Sequence, residues 1–321
     1  MNKKGVFFTF IAIMLIVLIV AMVTTKGKYR YTEKSKAISH RIVTMNNFID
    51  DFEKDFDREL FIGGYRALLS MNSYIRDIEE YVTDFDTTFN EILINGTADG
   101  TEMTLMEQGS QGASIISWLE RINEEGGRSN INVKFTPYYI HAEQFSPWSV
   151  KITVKAAINI TDVKGVAAWV YNKTFEREFS IVGFEDPLFI VETRDKVTNL
   201  INITPSMEFV DDATSNTSIL TNHLFQSYYI NSTRAPSYLM RFSGNRNASP
   251  YGIESMINLI DLDTQGIKIK PKTPVIDFIY FGNITTVNYC NVTNMPSWFI
   301  IDNNVTYINI YEIDDLNVTN C

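Results

Sequence analysis

The length, composition and charge of this chain limit the kinds of protein it can be. Its 321 residues are 45% hydrophobic and 13% aromatic, so the chain can bury a substantial core and is not disordered by composition. The formal net charge of −10 argues against a nucleic-acid partner, because phosphate binding needs a basic surface.

The chain begins with an apolar stretch. Residues 5–23 contain no charged side chain, and nearly all of them are Val, Ile, Leu, Met, Phe or Ala. About 19 residues at a rise of 1.5 Å are enough for a helix to cross a hydrocarbon layer of ~30 Å. A cleaved secretory signal usually has a shorter apolar region followed by a small-x-small site, and residues 20–25 offer no clean site of that kind. We therefore predict that residues 1–25 form a leader and a transmembrane helix.

The residues around Gly5 resemble a class III leader. Lys3 and Lys4 precede Gly5, and the apolar run opens at Val6. Such leaders belong to archaeal type IV pilins and their relatives, among them membrane-anchored surface proteins of uncharacterised function. The resemblance implies a cut by prepilin peptidase after Gly5, a mature chain that begins at Val6, and contacts with other pilin-like subunits through this helix. Whether the cut takes place stays open, because Phe10 stands where bacterial pilins carry an acidic residue.

The basic residues after the apolar stretch and the glycosylation acceptors predict opposite sides of the membrane for the rest of the chain. Five Lys or Arg residues between positions 26 and 36 would place it in the cytoplasm by the positive-inside rule. Eleven Asn-x-Ser/Thr acceptors, where chance predicts about four, favour export and modification by an oligosaccharyltransferase. Long domains are translocated largely regardless of flanking charge, so we predict a cytoplasmic N-terminus and an extracellular C-terminal domain. The acceptors are Asn95, Asn159, Asn172, Asn202, Asn216, Asn231, Asn247, Asn283, Asn291, Asn304 and Asn317.

Residues 26–95 carry two hydrophobic seams with heptad spacing, which predicts helices. The first seam covers residues 31–56 and the second covers residues 68–92. Gly63-Gly64 lies between them, and a glycine pair costs roughly 2 kcal/mol inside a helix, so we predict a helix end or a sharp bend there. Two interpretations remain open: a coiled-coil hairpin or bent stalk, or two stripes that pack on the globular domain.

Residues 96–321 have a β-rich pattern. A short amphipathic helix is expected within residues 104–125, stopped by Gly126-Gly127. Alternation with period two then predicts strands at residues 131–135, 150–155, 169–175, 179–181 and 305–311. The predicted fold is therefore α+β, with a transmembrane helix that continues into a long helix or helical hairpin. A mainly antiparallel β-sheet or sandwich with short helices follows.

Cys290 and Cys321 are the two cysteines of the chain. In an oxidising compartment a disulfide between them would close a loop of about 30 residues and stabilise the fold by roughly 3–4 kcal/mol. We predict this disulfide as a consequence of export.

The sequence contains no defensible catalytic constellation. His40, His141 and His223 are far apart and lie in no metal-binding motif. Glu185 and Asp186 are neighbours, and neighbours in a strand point to opposite faces, so they do not make a natural acid/base couple. We expect a non-enzymatic protein without a cofactor.

Several aromatic residues could form either a core or a surface that binds sugars or proteins. We interpret them as core. They are Tyr138, Tyr139, Trp148, Tyr228 and Tyr229. The sequence thus favours a glycosylated, pilin-like or pseudopilin-like envelope subunit held in membrane lipid. The alternative is a single-pass surface receptor or adhesin that does not polymerise.

Overall fold

A computed structural model describes residues 3–107, 112–211, 214–282, 289–303, 305–313 and 318–319. It confirms the α+β class: one long N-terminal helix is followed by antiparallel sheets and short helices. The long helix, α1, extends over Lys3–Ile78 and holds 76 residues. It contains no proline, and Leu, Ile, Met, Ala, Lys, Arg and Glu make up much of it, which are residues that favour helices.

The first part of α1 is apolar and exposed. Residues Gly5–Lys26 form one stretch of 22 residues that is long and apolar enough to cross a membrane, with a mean hydropathy of 3.2 and no buried residue. A stretch of this kind near the N-terminus is compatible with a membrane anchor or with a signal sequence.

The chain divides into two compact units, each built from three segments. The first comprises Met1–Asp55, Ile122–Phe135 and Ile158–Tyr171, and the second comprises Phe56–Arg121, Thr136–Ala157 and Asn172–Cys321.

In the first unit, hydrogen bonds from Arg41 connect α1 to Asp162 and to residues 129–130. The Arg41 guanidinium donates to Asp162 Oδ1 at 2.8 Å and to the carbonyl oxygens of Ser129 and Asn130 at 2.7 and 2.9 Å. The Val166 backbone N–H and the Arg41 guanidinium hold the pKa of Asp162 below its ordinary value. Beyond this point the helix becomes buried, since Met45 has no exposed surface.

In the second unit, the remainder of α1 packs on a three-stranded sheet, of which residues 136–157 and 172–180 belong to this unit. The sheet has the order β3-β4-β5, with β3 at Ile131–Ser146, β4 at Ser149–Asp162 and β5 at Ala168–Ser180. The Phe56 ring lies 4.7 Å from the Trp118 ring and 4.6 Å from the Phe175 ring, measured between ring centres. Of the two interpretations of the heptad seams, packing on the globular part is therefore the one found for this stretch.

The predicted break at Gly63-Gly64 is wrong, because α1 continues through both glycines to Ile78. Both glycines are buried, and they allow a close approach that no side chain would permit. A Cβ atom on Gly63 would lie 2.7 Å from the Ala113 carbonyl oxygen, and one on Gly64 would lie 2.2 Å from Ile152 Cδ1. Tertiary packing thus outweighs the helix propensity of this pair.

Two further helices and a small hairpin complete this region. The second predicted helix is shorter than expected, because α1 ends at Ile78 and α2 occupies Phe85–Asn95. Asp84 caps α2, and Gly96 ends it in the left-handed conformation with φ of 78°. Helix α3 begins at Ile115, later than predicted, and passes Gly126-Gly127 to end at Arg128. The two-residue strands β1 and β2 are Thr97–Ala98 and Thr101–Glu102.

The C-terminal part consists of short helices and strands around a second core. The predicted strand at residues 305–311 is wrong, because Val305–Ile310 is a helix, α9. The buried Tyr307 in α9 and the buried Tyr311 just after it are four residues apart, a spacing that fits a helical face as well as it fits a strand. The other elements are α4 Pro187–Thr193, α5 Ser218–Gln226, β6 Tyr229–Asn231, α6 Tyr238–Arg241, β7 Ile253–Ser255, α7 Leu259–Thr264, α8 Asp277–Tyr280, β8 Tyr289–Val292, β9 Ile300–Asp302 and β10 Val318–Thr319.

The contact at Gly63 leads to a prediction about stability. Gly63→Ala should lower the free energy of unfolding by about 1–3 kcal/mol, because the new methyl group collides with the Ala113 carbonyl. The matched control is Gly127→Ala in α3, where a Cβ atom meets nothing within 4 Å. That change should be neutral or stabilise by up to about 1 kcal/mol. Denaturant unfolding in detergent micelles measures both, and equal effects would contradict the close approach.

Candidate functional site

The side chains of β3 change faces along the strand. Its buried residues are Ile131, Val133 and Phe135 at odd positions, and then Ala142 at an even position. Strict alternation cannot give this pattern, so we infer one extra residue between Phe135 and Ala142, as in a β-bulge. Pro137 lies in this interval, and β3 is an edge strand, where a proline is tolerated.

After this irregularity, alternate residues of β3 point away from the core and form an outer aromatic face with β4. We define this face by Tyr139, His141, Glu143 and Phe145 on β3 and by Lys151 and Lys155 on β4. The Tyr139 and Phe145 side chains are 42% and 47% exposed. A bulge that redirects side chains in this way is a common device beside binding sites.

A lysine ammonium group lies over each exposed ring on this face. Lys155 Nζ lies 4.8 Å from the centre of the Tyr139 ring, and Lys151 Nζ lies 4.9 Å from the centre of the Phe145 ring. Lys151 also forms an ion pair of 2.7 Å with Glu143. This pair raises the pKa of Lys151 above its ordinary value, so its ammonium group stays charged. The face therefore combines flat apolar surfaces with charged groups that are already paired, as in a surface that binds by stacking and hydrogen bonding.

The positions of the aromatic residues correct the prediction that all five of them belong to the core. Tyr138 and Tyr139 are exposed, so the prediction that they belong to the core is wrong. Tyr229 is fully buried, as predicted, and Trp148 and Tyr228 are half-buried. A sequence pattern with period two carries no sign of the extra residue in β3, although Pro137, just after the predicted strand at residues 131–135, is a weak signal for it.

A second group of polar residues lies inside the core. Arg241 Nη1 is 2.6 Å from Asp186 Oδ2 and 2.7 Å from Asp277 Oδ2, and all three side chains have no exposed surface. Tyr229 donates its hydroxyl proton to Asp186 Oδ2 at 2.6 Å. Ser255 donates to Asp277 Oδ2 at 3.2 Å. We call these five residues the buried arginine cluster.

The buried arginine cluster joins five short elements and is inaccessible to a substrate. Asp186 caps α4 by accepting from the Leu188 N–H at 2.8 Å, and Asp277 accepts from the Phe278 N–H at 2.6 Å at the start of α8. Burial raises the pKa of Asp277. Glu185 pairs with Arg76, whereas Asp186 and Asp277 both pair with Arg241. The sequence signal for this is Arg241 inside the apolar run at residues 238–242.

Glu254 is a further carboxyl group in this core, on strand β7. Its side chain has no exposed surface and accepts a hydrogen bond from the Tyr311 hydroxyl at 2.9 Å. Burial raises the pKa of Glu254 to about 7, although Arg241 partly opposes the shift. The carboxyl group is therefore largely protonated in the folded protein at acidic pH and loses its proton near neutrality.

The three histidines lie on separate elements. His40 is exposed on α1, His141 lies 3.4 Å from Asp86, and His223 is buried on α5. Burial lowers the pKa of His223 to about 4, so its imidazole is neutral. Among the residues that the structure describes, no three His, Cys, Asp or Glu side chains are grouped so that they could hold a metal ion.

The structure describes eight of the predicted glycosylation acceptors, and each can reach solvent. Six are exposed, while Asn159 on β4 and Asn291 on β8 are half-buried. The exposed ones are Asn95, Asn172, Asn202, Asn216, Asn231 and Asn247. Asn283, Asn304 and Asn317 lie outside the described residues.

The predicted processing and disulfide residues stay predictions. Gly5 belongs to the first turns of α1, and the Val6 side chain is exposed. Cys290 is fully buried on β8, the central strand of the sheet β10-β8-β9, and Cys321 lies outside the described residues. Strand β10 pairs with β8, with Val318 opposite Val292 and Thr319 opposite Asn291, so β10 lies beside the strand that carries Cys290.

Comparisons of this chain with family models, with curated proteins and with solved structures give no match.

The burial of Glu254 leads to a prediction about pH. Its folded pKa of about 7 lies above the ordinary value of 4.5, so the folded state binds more protons and this residue makes stability fall as pH rises from about 4.5 to 7. Glu254→Gln keeps the acceptor for Tyr311 and removes the charge. The variant should therefore gain up to about 3 kcal/mol relative to the parent between pH 5 and pH 8.

Denaturant unfolding at several pH values measures this effect. The control is Glu208→Gln, which removes a carboxyl group from an exposed position. A parent and Glu254→Gln variant with parallel pH profiles would contradict the buried, protonated state.

Proposed function

We propose that this protein is a non-enzymatic, membrane-anchored and N-glycosylated envelope protein of the pilin-like kind. The observation that carries this proposal is helix α1. Its residues Gly5–Lys26 are apolar and exposed, whereas the same helix further on buries Phe56, Leu68 and Met71 completely. A membrane shields an exposed apolar helix of 22 residues from water, and a helix continuous with a β-rich domain is the plan that the leader implies.

The glycosylation acceptors support an extracellular position for the C-terminal part. A sequon is modified only where the enzyme can reach the asparagine, and none of the eight described acceptors is buried. In this proposal the N-terminus is cytoplasmic, the membrane lipid surrounds residues 5–26, and the domain that follows is outside the cell.

The buried arginine cluster supports a structural role for the polar core. A general acid or base has to reach its substrate within hydrogen-bonding distance. Asp186 and Asp277 have no exposed surface, and their hydrogen bonds hold helix starts in place. We therefore propose no catalytic function for this cluster.

The leader leads to a prediction about processing. The mature protein, purified from the membranes of its native host, should begin at Val6, because prepilin peptidase cuts after the glycine of a class III leader. Intact-mass spectrometry and N-terminal sequencing measure this directly. Gly5→Leu should block the cut and leave residues 1–5 attached.

A mature chain that begins at Met1 in both proteins would contradict the pilin-like proposal. A chain that begins between residues 20 and 30 would contradict the anchor as well, since the apolar stretch would then be a removable signal.

The alternative function, a surface receptor or adhesin that does not polymerise, is favoured by the outer aromatic face. Exposed rings cost free energy in water unless a partner covers them. Tyr139 and Phe145 are exposed on a rigid hairpin, with lysines already placed over both rings. Rings of this kind stack on the apolar faces of sugars, so an oligosaccharide is the ligand class that we propose for this alternative.

A glycan array tests the alternative. The full-length protein in detergent micelles should bind at least one neutral oligosaccharide, and the double variant Tyr139→Ala and Phe145→Ala should weaken that binding about thirtyfold or more. The control is Leu200→Ala, an exposed apolar residue elsewhere in the same unit. An array without signal, or equal weakening by the control, would contradict a binding role for this face.

A further inference from the structure

The segment of α1 that follows the apolar stretch is strongly basic. Residues 26–41, which we call the basic segment, contain six Lys or Arg residues and one Glu. Lys26, Lys28, Lys34 and Lys36 are all exposed, and so are the described residues 32–40 as a group.

This positive charge is segregated from an acidic remainder. Residues 42–321 hold 20 basic and 37 acidic residues, whereas the basic segment has a formal charge of +5. A helix that is merely solvated usually mixes both signs, because opposite charges three or four residues apart stabilise it. Glu33 is the single acidic residue here, so helix stability does not explain the composition.

Helix geometry indicates the kind of partner that this charge fits. Lys26, Lys28, Lys34 and Lys36 lie at about 0°, 200°, 80° and 280° around the axis, at about 100° per residue. They extend over about 15 Å along the helix, at 1.5 Å per residue. The four lysines therefore lie on all sides of the helix. This arrangement fits a partner that contacts the helix from all sides, and it does not fit a ligand that binds one face.

We propose that the basic segment binds the phosphate groups of anionic phospholipids in the leaflet where the apolar stretch ends at Lys26. The inference rests on the membrane anchor in the proposed function and adds a lipid preference to it. Lys26 and Lys28 lie at the level of the headgroups when Gly5–Lys26 crosses the hydrocarbon layer. Basic residues next to a membrane span bind anionic lipid in this way, each by about fivefold when close to the surface.

The same contact offsets a repulsion. The remainder of the chain is acidic, so an anionic membrane surface repels it, and this repulsion acts within a Debye length of about 10 Å at 0.1 M salt. The attraction between the basic segment and the anionic lipid bound around it compensates for this repulsion at the point where the chain leaves the bilayer. We therefore expect the lipid preference to depend on the charge nearest the span.

Spin-label spectroscopy on the full-length protein in phosphatidylcholine vesicles tests the proposal. A trace of spin-labelled phosphatidylglycerol should be immobilised by the protein more strongly than spin-labelled phosphatidylcholine, and the preference should fall between about 0.1 M and about 1 M salt. The double variant Lys26→Gln and Lys28→Gln should lower the preference about fivefold or more. Lys34→Gln with Lys36→Gln should lower it less, because these residues lie about 12–15 Å further along the axis.

The control is Lys196→Gln with Lys268→Gln, which removes the same charge from exposed positions on the second unit. This control should leave the preference unchanged. Equal immobilisation of the two lipids by the parent protein, or an equal loss in the control, would overturn the proposal.

A flotation assay separates this inference from the anchor on which it rests. The parent protein should remain with phosphatidylcholine vesicles after an alkaline wash, because insertion needs only the apolar stretch. A protein that is washed off overturns the anchor and the lipid preference together. A protein that floats without a lipid preference overturns the lipid proposal alone.

Discussion

The close packing of α1 on the β-sheet is the contact on which the second unit depends. Gly64 brings the helix backbone next to Ile152 and Phe179, and Gly63 brings it next to the Ala113 carbonyl. A glycine in a helix interior costs about 1 kcal/mol, whereas each large apolar side chain that becomes fully buried stabilises the fold by about 1.5–3 kcal/mol. Because Phe56, Leu68 and Met71 on the same helix are buried completely, the packing outweighs the two glycines.

The same helix meets different surroundings along its length, and its composition changes accordingly. Residues Gly5–Lys26 are apolar on all sides and exposed on all sides, so no contact with the described chain explains them. The basic segment that follows is charged on all sides, and from Met45 onward one stripe is apolar and buried. In the proposed function these three patterns match hydrocarbon, the charged surface of a membrane and a protein core. This correspondence is the physical basis of the proposed anchor and of the proposed lipid contact.

Much of this architecture could be predicted from the sequence, because it follows from periodicity. The heptad seams predicted helix, and period-two alternation placed segments of β3, β4 and β5 correctly. The failures occur where local pattern and tertiary packing disagree. Gly63-Gly64 suggested a helix end, but the sheet requires small residues there. At residues 305–311 the aromatic and β-branched residues suggested a strand, although Val305–Ile310 is a helix that buries Tyr307.

The candidate sites could be predicted only in part, for a related reason. The extra residue that we infer in β3 exposes Tyr139, which a strict alternation from Phe135 would bury, and Pro137 is a weak sequence signal for it. The buried arginine cluster joins residues that are far apart in sequence, so only the fold brings Asp186 to Asp277.

Solvent exposure of the side chains distinguishes the buried arginine cluster from the outer aromatic face as a functional candidate. Carboxylates without exposed surface cannot meet a substrate, and each of these two fixes the start of a helix. Tyr139 and Phe145 remain exposed after folding. Burying these rings against a partner would therefore contribute favourable free energy to binding. The buried arginine cluster therefore stabilises the core, and the apolar, basic and aromatic surfaces outside it are the ones that we propose for recognition.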